Sequence, residues 1–323
     1  MKYFIIPIIL SLFLYNFFKV NLPTICETDF DYISLQSNSF VELFSNYFSV
    51  KYVFYGSFNN QKVVVKKLRG DLSSDLYSET NTNFQICPPS LLADFLGLIS
   101  MENSTMAMYW HSILRVNAEP LLLQVLKAEH AWPVPRYFGM YGRCLVESHC
   151  GVALNAFKNA DWHVRAELTL QLLNAAKRFT GRHPNFRFYL TDVSPDNIAV
   201  SDNLQVTFVD LENVIVTGKH NANLNLHISE RFDDADGFAF SESAICNSSI
   251  SDHNYYAICK LLLSDRAPWP MMEGGLLHTP PTNVVDIYSH LIALIHSCSH
   301  DVNCFDAVEK IIVILQNLAN VNK

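Results

Sequence analysis

The stretch Tyr189-Leu-Thr-Asp-Val-Ser-Pro-Asp-Asn197 decides how this chain is interpreted, together with the acidic strand end Val209-Asp-Leu-Glu212 that follows it. Asp192 and Asn197 share a polar loop, and Asp210 ends an apolar strand. Carboxylate and amide oxygens are the hard ligands that Mg²⁺ prefers beside phosphate oxygens. The spacing of these three residues therefore predicts a metal-phosphate site on this loop and strand.

Two charged residues upstream extend this pattern. Lys66 follows the apolar run Val63-Val-Val65, where its ammonium is placed to hold the α/β-phosphates of a nucleotide. Glu119 opens a helical segment and is placed to fix that lysine by an ion pair, while Glu79 and Glu102 compete for the same role. A lysine, a glutamate, Asp-x4-Asn and a strand-end aspartate follow one another here in the order found in protein kinases.

Taken singly, each of these residues has an ordinary interpretation. The segment from Asp192 to Asn197 fits a proline-containing turn, and Asp210 fits a strand terminus. Lys66 beside Lys67 fits a solvated charge, and an acid suits any helix N-terminus. It is the joint order and spacing, in a two-lobed context, that favours a kinase-like site.

Composition narrows the possible functions. The chain has 323 residues, of which 50% are hydrophobic and 17% charged, so it has material for a packed core and is not a disordered protein. A net charge of −8 without a basic run makes nucleic acid an unexpected partner. Only 11 residues are glycine, and neither G-x-G-x-x-G nor G-x-x-x-x-G-K occurs, which argues against Rossmann and P-loop chemistry.

The order of predicted elements indicates two lobes in an α+β fold. A β-hairpin is predicted over 48–68 with its turn at Asn59-Asn60, followed by an irregular insertion near 70–115. The second half of the chain shows one long amphipathic helix, two short strands and further helices. We therefore expect a two-lobed protein-kinase-like fold, with a small β-rich N-lobe over 26–150 and a larger α-helical C-lobe over 151–323.

The first residues predict the compartment. Met1 and Lys2 precede an apolar run over 3–18, which fits a signal peptide or a retained signal-anchor within residues 1–25. A buried N-terminal helix is the alternative. A signal or an anchor places the chain in the lumen of the secretory pathway, so membrane contact is expected only through an uncleaved N-terminal anchor.

Cysteines and sequons agree with an oxidising lumen. The chain has an even number of cysteines, and close spacing makes three disulfides plausible without fixing them: Cys144 with Cys150, Cys246 with Cys259, and Cys298 with Cys304. The last pair also forms a cluster with His296 and His300, but the spacing matches no common zinc module, so a local disulfide is favoured and no zinc is expected. Sequons at Asn103 and Asn247 predict a glycoprotein if these asparagines are exposed.

Four stretches of this sequence resemble the divergent protein kinase family that includes the deleted-in-autism proteins. These stretches are Tyr189-Leu-Thr-Asp-Val-Ser-Pro-Asp-Asn-Ile-Ala-Val200, Phe208-Val-Asp-Leu-Glu-Asn-Val214, Asp252-His-Asn-Tyr-Tyr-Ala-Ile-Cys259 and Gly274-Gly-Leu-Leu-His-Thr-Pro-Pro281. The resemblance runs from about residue 30 to the C-terminus. It implies a kinase-like fold that enters the secretory pathway and is Golgi-resident or secreted, with extracellular signalling roles and poorly defined activity.

Matched position by position, the resemblance implies a role for each candidate site residue. Lys66 corresponds to the nucleotide-binding lysine and Glu119 to its helix partner. Asp192 corresponds to the catalytic-loop base. Asn197 and Asp210 correspond to the metal ligands.

Other positions depart from an ordinary kinase. Residues 46–53, where the phosphate-covering loop is expected, contain no glycine, and Leu190-Thr191 replaces the usual His-Arg before the catalytic aspartate. Ser194 stands where a protein kinase usually has a phosphate-contacting lysine, and Glu212 replaces the glycine of Asp-Phe-Gly. Asp252 resembles the buried aspartate that supports the catalytic loop.

Two functions from different classes follow. The first is Mg- or Mn-ATP-dependent phosphoryl transfer to a hydroxyl in the Golgi lumen or outside the cell, with phosphorylation of a sugar as a variant on the same scaffold. The second is a weak or inactive secreted pseudokinase that acts as a ligand or binding protein for an extracellular or lumenal protein partner or receptor.

Overall fold

The computed structural model describes residues 33–35, 51–68, 84–99, 104–219, 225–229, 238–268, 274–300 and 304–321. The chain divides into two compact units, each assembled from separate pieces. The first unit draws on 1–82, 103–129 and 135–149, and the second unit on 83–102, 130–134 and 150–323. The signal or anchor predicted over 1–25 lies outside the described residues.

The described residues form strands in both halves of the chain and helices mainly in the second half. The strands are β1 (Ile33–Leu35), β2 (Lys51–Phe58), β3 (Gln61–Leu68), β4 (Gln85–Cys87), β5 (Tyr137–Tyr141), β6 (Cys144–Ser148), β7 (Val152–Ala153), β8 (Phe186–Tyr189), β9 (Ile198–Val200), β10 (Val206–Phe208), β11 (Ile215–Gly218), β12 (Leu226–His227) and β13 (Ile250–Ser251). The helices are α1 (Leu92–Leu96), α2 (Ser104–Val116), α3 (Glu119–Val125), α4 (Trp162–Gly181), α5 (Glu242–Cys246), α6 (His253–Ile258), α7 (Val285–His300) and α8 (Cys304–Val321).

The first unit is built on an antiparallel sheet in the order β1-β2-β3-β6-β5. Strands β2 and β3 form the predicted hairpin, and its turn lies at Asn59 and Asn60 as expected. Both asparagines have positive φ, 49° and 61°. A two-residue turn of this handedness matches the twist of the flanking strands, and asparagine tolerates it better than most residues.

Side chains alternate between the two faces of this sheet. Val63 and Val65 of β3 pack with Phe54, Cys144 and Val146 into a buried apolar cluster on one face. The intervening residues of β3 and β6 therefore face the other side of the sheet. This alternation places charged residues of the two strands on a common face.

The second unit is organised around α4, the long helix predicted from the apolar pattern. The carboxylate of Asp161 accepts a hydrogen bond of 2.8 Å from the backbone N–H of His163 and caps the start of the helix. The buried face of α4 includes Leu168, Leu172 and Phe179 and packs on α6 and α8. The helical character expected for this half of the chain is confirmed.

One segment of the expected N-lobe belongs to the second unit. Strand β4 pairs in parallel with β11, which in turn pairs antiparallel with β8. Phe95 of α1 packs edge-on against Phe186 of β8, with ring centroids 5.6 Å apart. The predicted N-lobe over 26–150 is therefore interrupted, because the sheet of the second unit recruits residues 84–99, which lie within the expected insertion near 70–115.

The disulfides only partly follow sequence proximity. Cys298 pairs with Cys304, as predicted. Cys87 pairs with Cys246, 159 residues away, so the expected pair of Cys246 with Cys259 is wrong. Cys144 is also disulfide-bonded, and its partner is not Cys150. The long-range pair arises because β4 lies beside β11 and Cys87 packs with Ile245 of α5, a proximity that local spacing does not reveal.

The α+β fold class is thus confirmed, with the sheet-rich part N-terminal and the helix-rich part C-terminal. None of the helices that the structure describes is both long enough and apolar enough to cross a membrane.

Candidate functional site

Lys66 lies near the end of β3 in the first unit, on the face opposite the apolar cluster. Its side chain is 6% exposed, and its Nζ donates to Oε1 of Glu119 at 2.8 Å. A second carboxylate oxygen, Oε1 of Glu147, lies 2.9 Å from the same nitrogen. Two carboxylate partners compensate the cost of burying the charge of this lysine.

Glu119 is the first residue of α3 and is fully buried. Its backbone N–H donates to Oδ1 of Asn117 at 2.7 Å, which fixes the start of the helix. The ion pair with Lys66 that the sequence suggested is therefore present in the first unit. The competing residues Glu79 and Glu102 lie outside the described residues.

Glu147 was not identified from the sequence. It lies on β6 directly opposite Val64 of β3, and Lys66 lies opposite Leu145. Glu147 and Lys66 are therefore diagonal neighbours on one face of the sheet, within reach of each other's long side chains. A single acid in the apolar strand Leu145-Val-Glu147 was the available signal, but only the strand register connects it to Lys66.

The loop from Asp192 to Asn197, in the second unit, is held by hydrogen bonds between its own residues. The side-chain amide of Asn197 donates to the backbone carbonyl of Asp192 at 3.3 Å. The hydroxyl of Ser194 accepts from the backbone N–H of Asn197, also at 3.3 Å, so the chain turns tightly over Pro195–Asn197. Asp192 itself is exposed, which leaves its carboxylate accessible to solvent.

Asp210 is brought to the same end of the hairpin as Asn197. Strands β9 and β10 pair antiparallel with Ile198 opposite Phe208, and the N–H of Val209 donates to the carbonyl of Asn197 at 3.0 Å. The two predicted metal ligands therefore leave neighbouring strand ends of the second unit. Asp210 is half-buried.

Neutral side chains of α6 form hydrogen bonds to the backbone just before this loop. The backbone N–H of Leu190 donates to Oδ1 of Asn254 at 2.8 Å. The amide nitrogen of Asn254 donates to the carbonyl of Phe188 at 2.8 Å and to the hydroxyl of Thr180 at 2.9 Å. Nε2 of His253 lies 2.8 Å from the carbonyl of Leu190, and because a carbonyl can only accept, this nitrogen carries the proton.

Asp252, which resembles the supporting aspartate of kinases, hydrogen-bonds to Ser229. Oδ1 of Asp252 accepts from the N–H of Ser229 at 2.8 Å and from its hydroxyl at 2.6 Å. Burial lowers the pKa of His253 to about 4, so the imidazole is neutral at pH 7. The hydrogen bonds that hold Leu190 therefore come from the neutral residues His253 and Asn254.

Two of the positions that depart from ordinary kinases have local structural roles. The hydroxyl of Thr191 donates to the carbonyl of Asn213 at 2.5 Å, and that of Ser194 caps the turn at Asn197. Glu212 is half-buried in the turn after β10. Residues 46–50 of the glycine-free segment lie outside the described residues.

Fold and residues together define a divergent protein-kinase-like domain. A family model described as the protein-kinase domain of FAM69 matches residues 110–301, and the chain belongs to this family. The matched range contains Glu119, Asp192, Asn197 and Asp210, whereas Lys66 precedes it.

Curated relatives are also named as divergent protein kinase domains. The chain is 38% identical over 197 residues to the proteins called divergent protein kinase domain 2A of Xenopus tropicalis and Homo sapiens. It is 31% identical over 144 residues to divergent protein kinase domain 2B of Mus musculus. The match covers 58% of this chain but 46% of the 2A proteins, so the chain spans about half the length of these relatives.

Proposed function

We propose that this protein binds a nucleotide together with Mg²⁺ or Mn²⁺ and transfers a phosphoryl group from ATP to a hydroxyl. The observation that carries the proposal is the buried ion pair of Lys66 with Glu119, 2.8 Å long, in the first unit. The pairing of a strand lysine with a helix glutamate is the arrangement that active protein kinases require. In the proposed activity Lys66 contacts the α/β-phosphates, and Glu119 keeps its side chain in place.

The residues of the second unit suit a hard divalent cation. Asn197 and Asp210 supply an amide oxygen and a carboxylate from adjacent strand ends, and the bond from Val209 to Asn197 holds these ends together. Magnesium at such a site neutralises charge on the phosphates during transfer. In the described part of the chain no group of three or more His, Cys, Asp or Glu side chains is arranged to hold a metal. Mg²⁺ takes few protein ligands and completes its shell with water and phosphate.

Asp192 is the proposed catalytic base. It is exposed at the start of the loop, and the amide of Asn197 fixes its backbone carbonyl. The carboxylate is placed to orient a substrate hydroxyl and to accept its proton. Loss of this group removes phosphoryl transfer but does not remove nucleotide binding.

The test is a thermal shift of the purified full chain with ATP and Mg²⁺ or Mn²⁺. We expect millimolar Mg-ATP to raise the melting temperature, and Asp210→Ala to abolish the rise. Asp202→Ala is the matched control, because Asp202 is an exposed acid in the turn that joins the same two strands. The absence of a shift in the unmodified protein, at any concentration up to millimolar, contradicts the proposal.

The second candidate is a secreted pseudokinase that acts as a binding protein. Two observations favour it. Glu147 forms a second ion pair with Lys66, in addition to the one with Glu119. Ser194 stands where a kinase lysine is usual, and its hydroxyl accepts a hydrogen bond from Asn197 within the same turn. A folded protein that shows neither a nucleotide shift nor phosphoryl transfer supports this candidate.

We also propose that the chain works in the lumen of the secretory pathway, in the Golgi or after secretion. The disulfides Cys87–Cys246 and Cys298–Cys304 support an oxidising compartment. Asn247, the first residue of a sequon, is exposed directly after Cys246. On expression in a secreting cell, treatment with a glycosidase that removes N-linked glycans is expected to reduce the apparent mass, and Asn247→Gln to remove at least part of that change. Identical masses with and without the enzyme contradict the assignment of Asn247.

A further inference from the structure

Lys66 faces two carboxylates, not one. Nζ lies 2.8 Å from Glu119 and 2.9 Å from Glu147, and the side chains of both acids are almost completely buried. Two carboxylates against one ammonium leave this group with one excess negative charge when all three are ionised. The phosphates of a nucleotide bring further negative charge to the same ammonium under the proposed function.

The two acids have different positions in the first unit. Glu119 begins α3 and has its backbone N–H fixed by Asn117. Glu147 lies within β6, in register with Val64 of the neighbouring strand. Since the kinase arrangement requires the helix glutamate to keep its lysine, Glu147 is the acid that competes with an incoming phosphate.

We propose that Glu147 determines which form of nucleotide the protein accepts. Its carboxylate competes with the phosphates for Lys66 and repels them, so metal-free nucleotide is bound poorly. A divalent metal reduces the negative charge of the phosphates and thereby reduces this repulsion. Glu147 is therefore a specificity-determining residue that favours metal-bound over metal-free nucleotide, and this role rests on the nucleotide binding proposed above.

Isothermal titration with ATP, in EDTA and in excess Mg²⁺, tests this role on the full chain. Glutamine at position 147 keeps the size and an acceptor oxygen for Lys66 but removes the charge. For Glu147→Gln we expect the dissociation constant for ATP in EDTA to fall at least tenfold, and the preference for Mg-ATP to shrink accordingly. Glu119→Gln, the matched control on the same lysine, is expected to give no such gain, because it removes the acid that holds Lys66.

A second variant guards against a folding defect. Glu147→Asp keeps the charge but draws it back by one methylene, so we expect an intermediate preference for Mg-ATP. Melting temperatures of all variants, measured without nucleotide, establish that they are folded. A purely structural role of Glu147 predicts lower stability and no tighter binding in either variant.

The outcomes separate this inference from the proposed function. If the unmodified protein binds Mg-ATP and Glu147→Gln binds metal-free ATP no more tightly, the inference is overturned and the proposed function stands. If only Glu147→Gln binds nucleotide, Glu147 excludes both forms of nucleotide, and the proposed function and the inferred preference for metal-bound nucleotide are both overturned. If neither binds, both are overturned.

Discussion

The lysine cluster of the first unit and the loop from Asp192 to Asn197 of the second differ in the kind of side chain that holds them in place. Lys66, Glu119 and Glu147 are buried charges that hold one another. The backbone of Leu190, just before the loop, is held by neutral groups, the amide of Asn254 and the imidazole of His253, while the carboxylate of Asp192 is exposed. In the first region the candidate site residues also hold the structure, whereas in the second region the candidate site residues and the supporting residues are different side chains.

This difference has an energetic consequence. Removing one member of a buried charge cluster leaves its partners desolvated and unpaired, which is expensive. Removing an exposed carboxylate costs little, because water already solvated it. Substitutions in the lysine cluster should therefore change stability together with the proposed nucleotide binding, and substitutions of the Asp192 carboxylate should change the proposed activity with little effect on stability.

The largest effect is expected for Lys66→Met. It leaves Glu119 and Glu147 buried side by side without their cation, so the free energy of unfolding should fall by about 3–5 kcal/mol. Urea denaturation followed by circular dichroism measures this. Lys62→Met is the control on the same strand, since Lys62 is exposed, and it should change stability by less than about 0.5 kcal/mol. If Lys66→Met and Lys62→Met lowered the free energy of unfolding by similar amounts, the buried charges would not be what stabilises the first region.

An intermediate loss of stability is expected when the pH is lowered, because His253 is buried in its neutral form. Burial lowers the pKa of this imidazole from 6.5 to about 4, so the folded protein keeps it neutral where the unfolded chain binds a proton. The neutral imidazole therefore contributes to the free energy of unfolding fully above pH 6.5, and this contribution is lost as the pH falls towards 4. The loss across this window should be on the order of 3 kcal/mol.

The measurement is a series of urea denaturations between pH 7 and pH 4.5 on the natural chain and on His253→Gln. Glutamine keeps a donor for the carbonyl of Leu190 but does not titrate. The stability difference between the two proteins should narrow as the pH falls, because the natural chain alone loses this contribution. A difference that is constant with pH would show that His253 does not remain neutral in the fold.

The smallest effect on stability is expected for Asp192→Asn. The side chain is exposed, so the melting temperature should change little, corresponding to less than about 0.5 kcal/mol. Phosphoryl transfer, if present in the natural chain, should fall at least a hundredfold, since general-base catalysis contributes on the order of a hundredfold or more. A large loss of stability in this variant would mean that the loop depends on its carboxylate as the first region depends on Lys66.

The two regions also differed in how far their residues could be predicted. Asp192, Asn197 and Asp210 lie close in sequence on one hairpin and its leading loop, and the pairing of β9 with β10 places Asn197 and Asp210 at neighbouring strand ends. Glu147 was not predicted as a site residue, because its proximity to Lys66 depends on the register between β3 and β6. Periodicity predicts which face a residue takes, but not which strands are neighbours.

The same limit explains the long-range features of the second unit. Strand β4 is a short segment in a sequence region without clear periodicity, and its parallel pairing with β11 joins residues more than a hundred positions apart. The disulfide of Cys87 with Cys246 depends on that pairing. Asn254 was missed for a different reason, since Asp252 two positions earlier is the more conspicuous charged residue.

The bond between Cys87 and Cys246 also bears on how the protein responds to proteases. It closes a covalent ring that contains every residue from 88 to 245, including Asp192, Asn197 and Asp210. A single backbone cut anywhere in that ring leaves both fragments joined as one molecule of unchanged mass, apart from the added water. Processing within this range is therefore invisible on a non-reducing gel, and the fragments part only when a reductant opens the bridge.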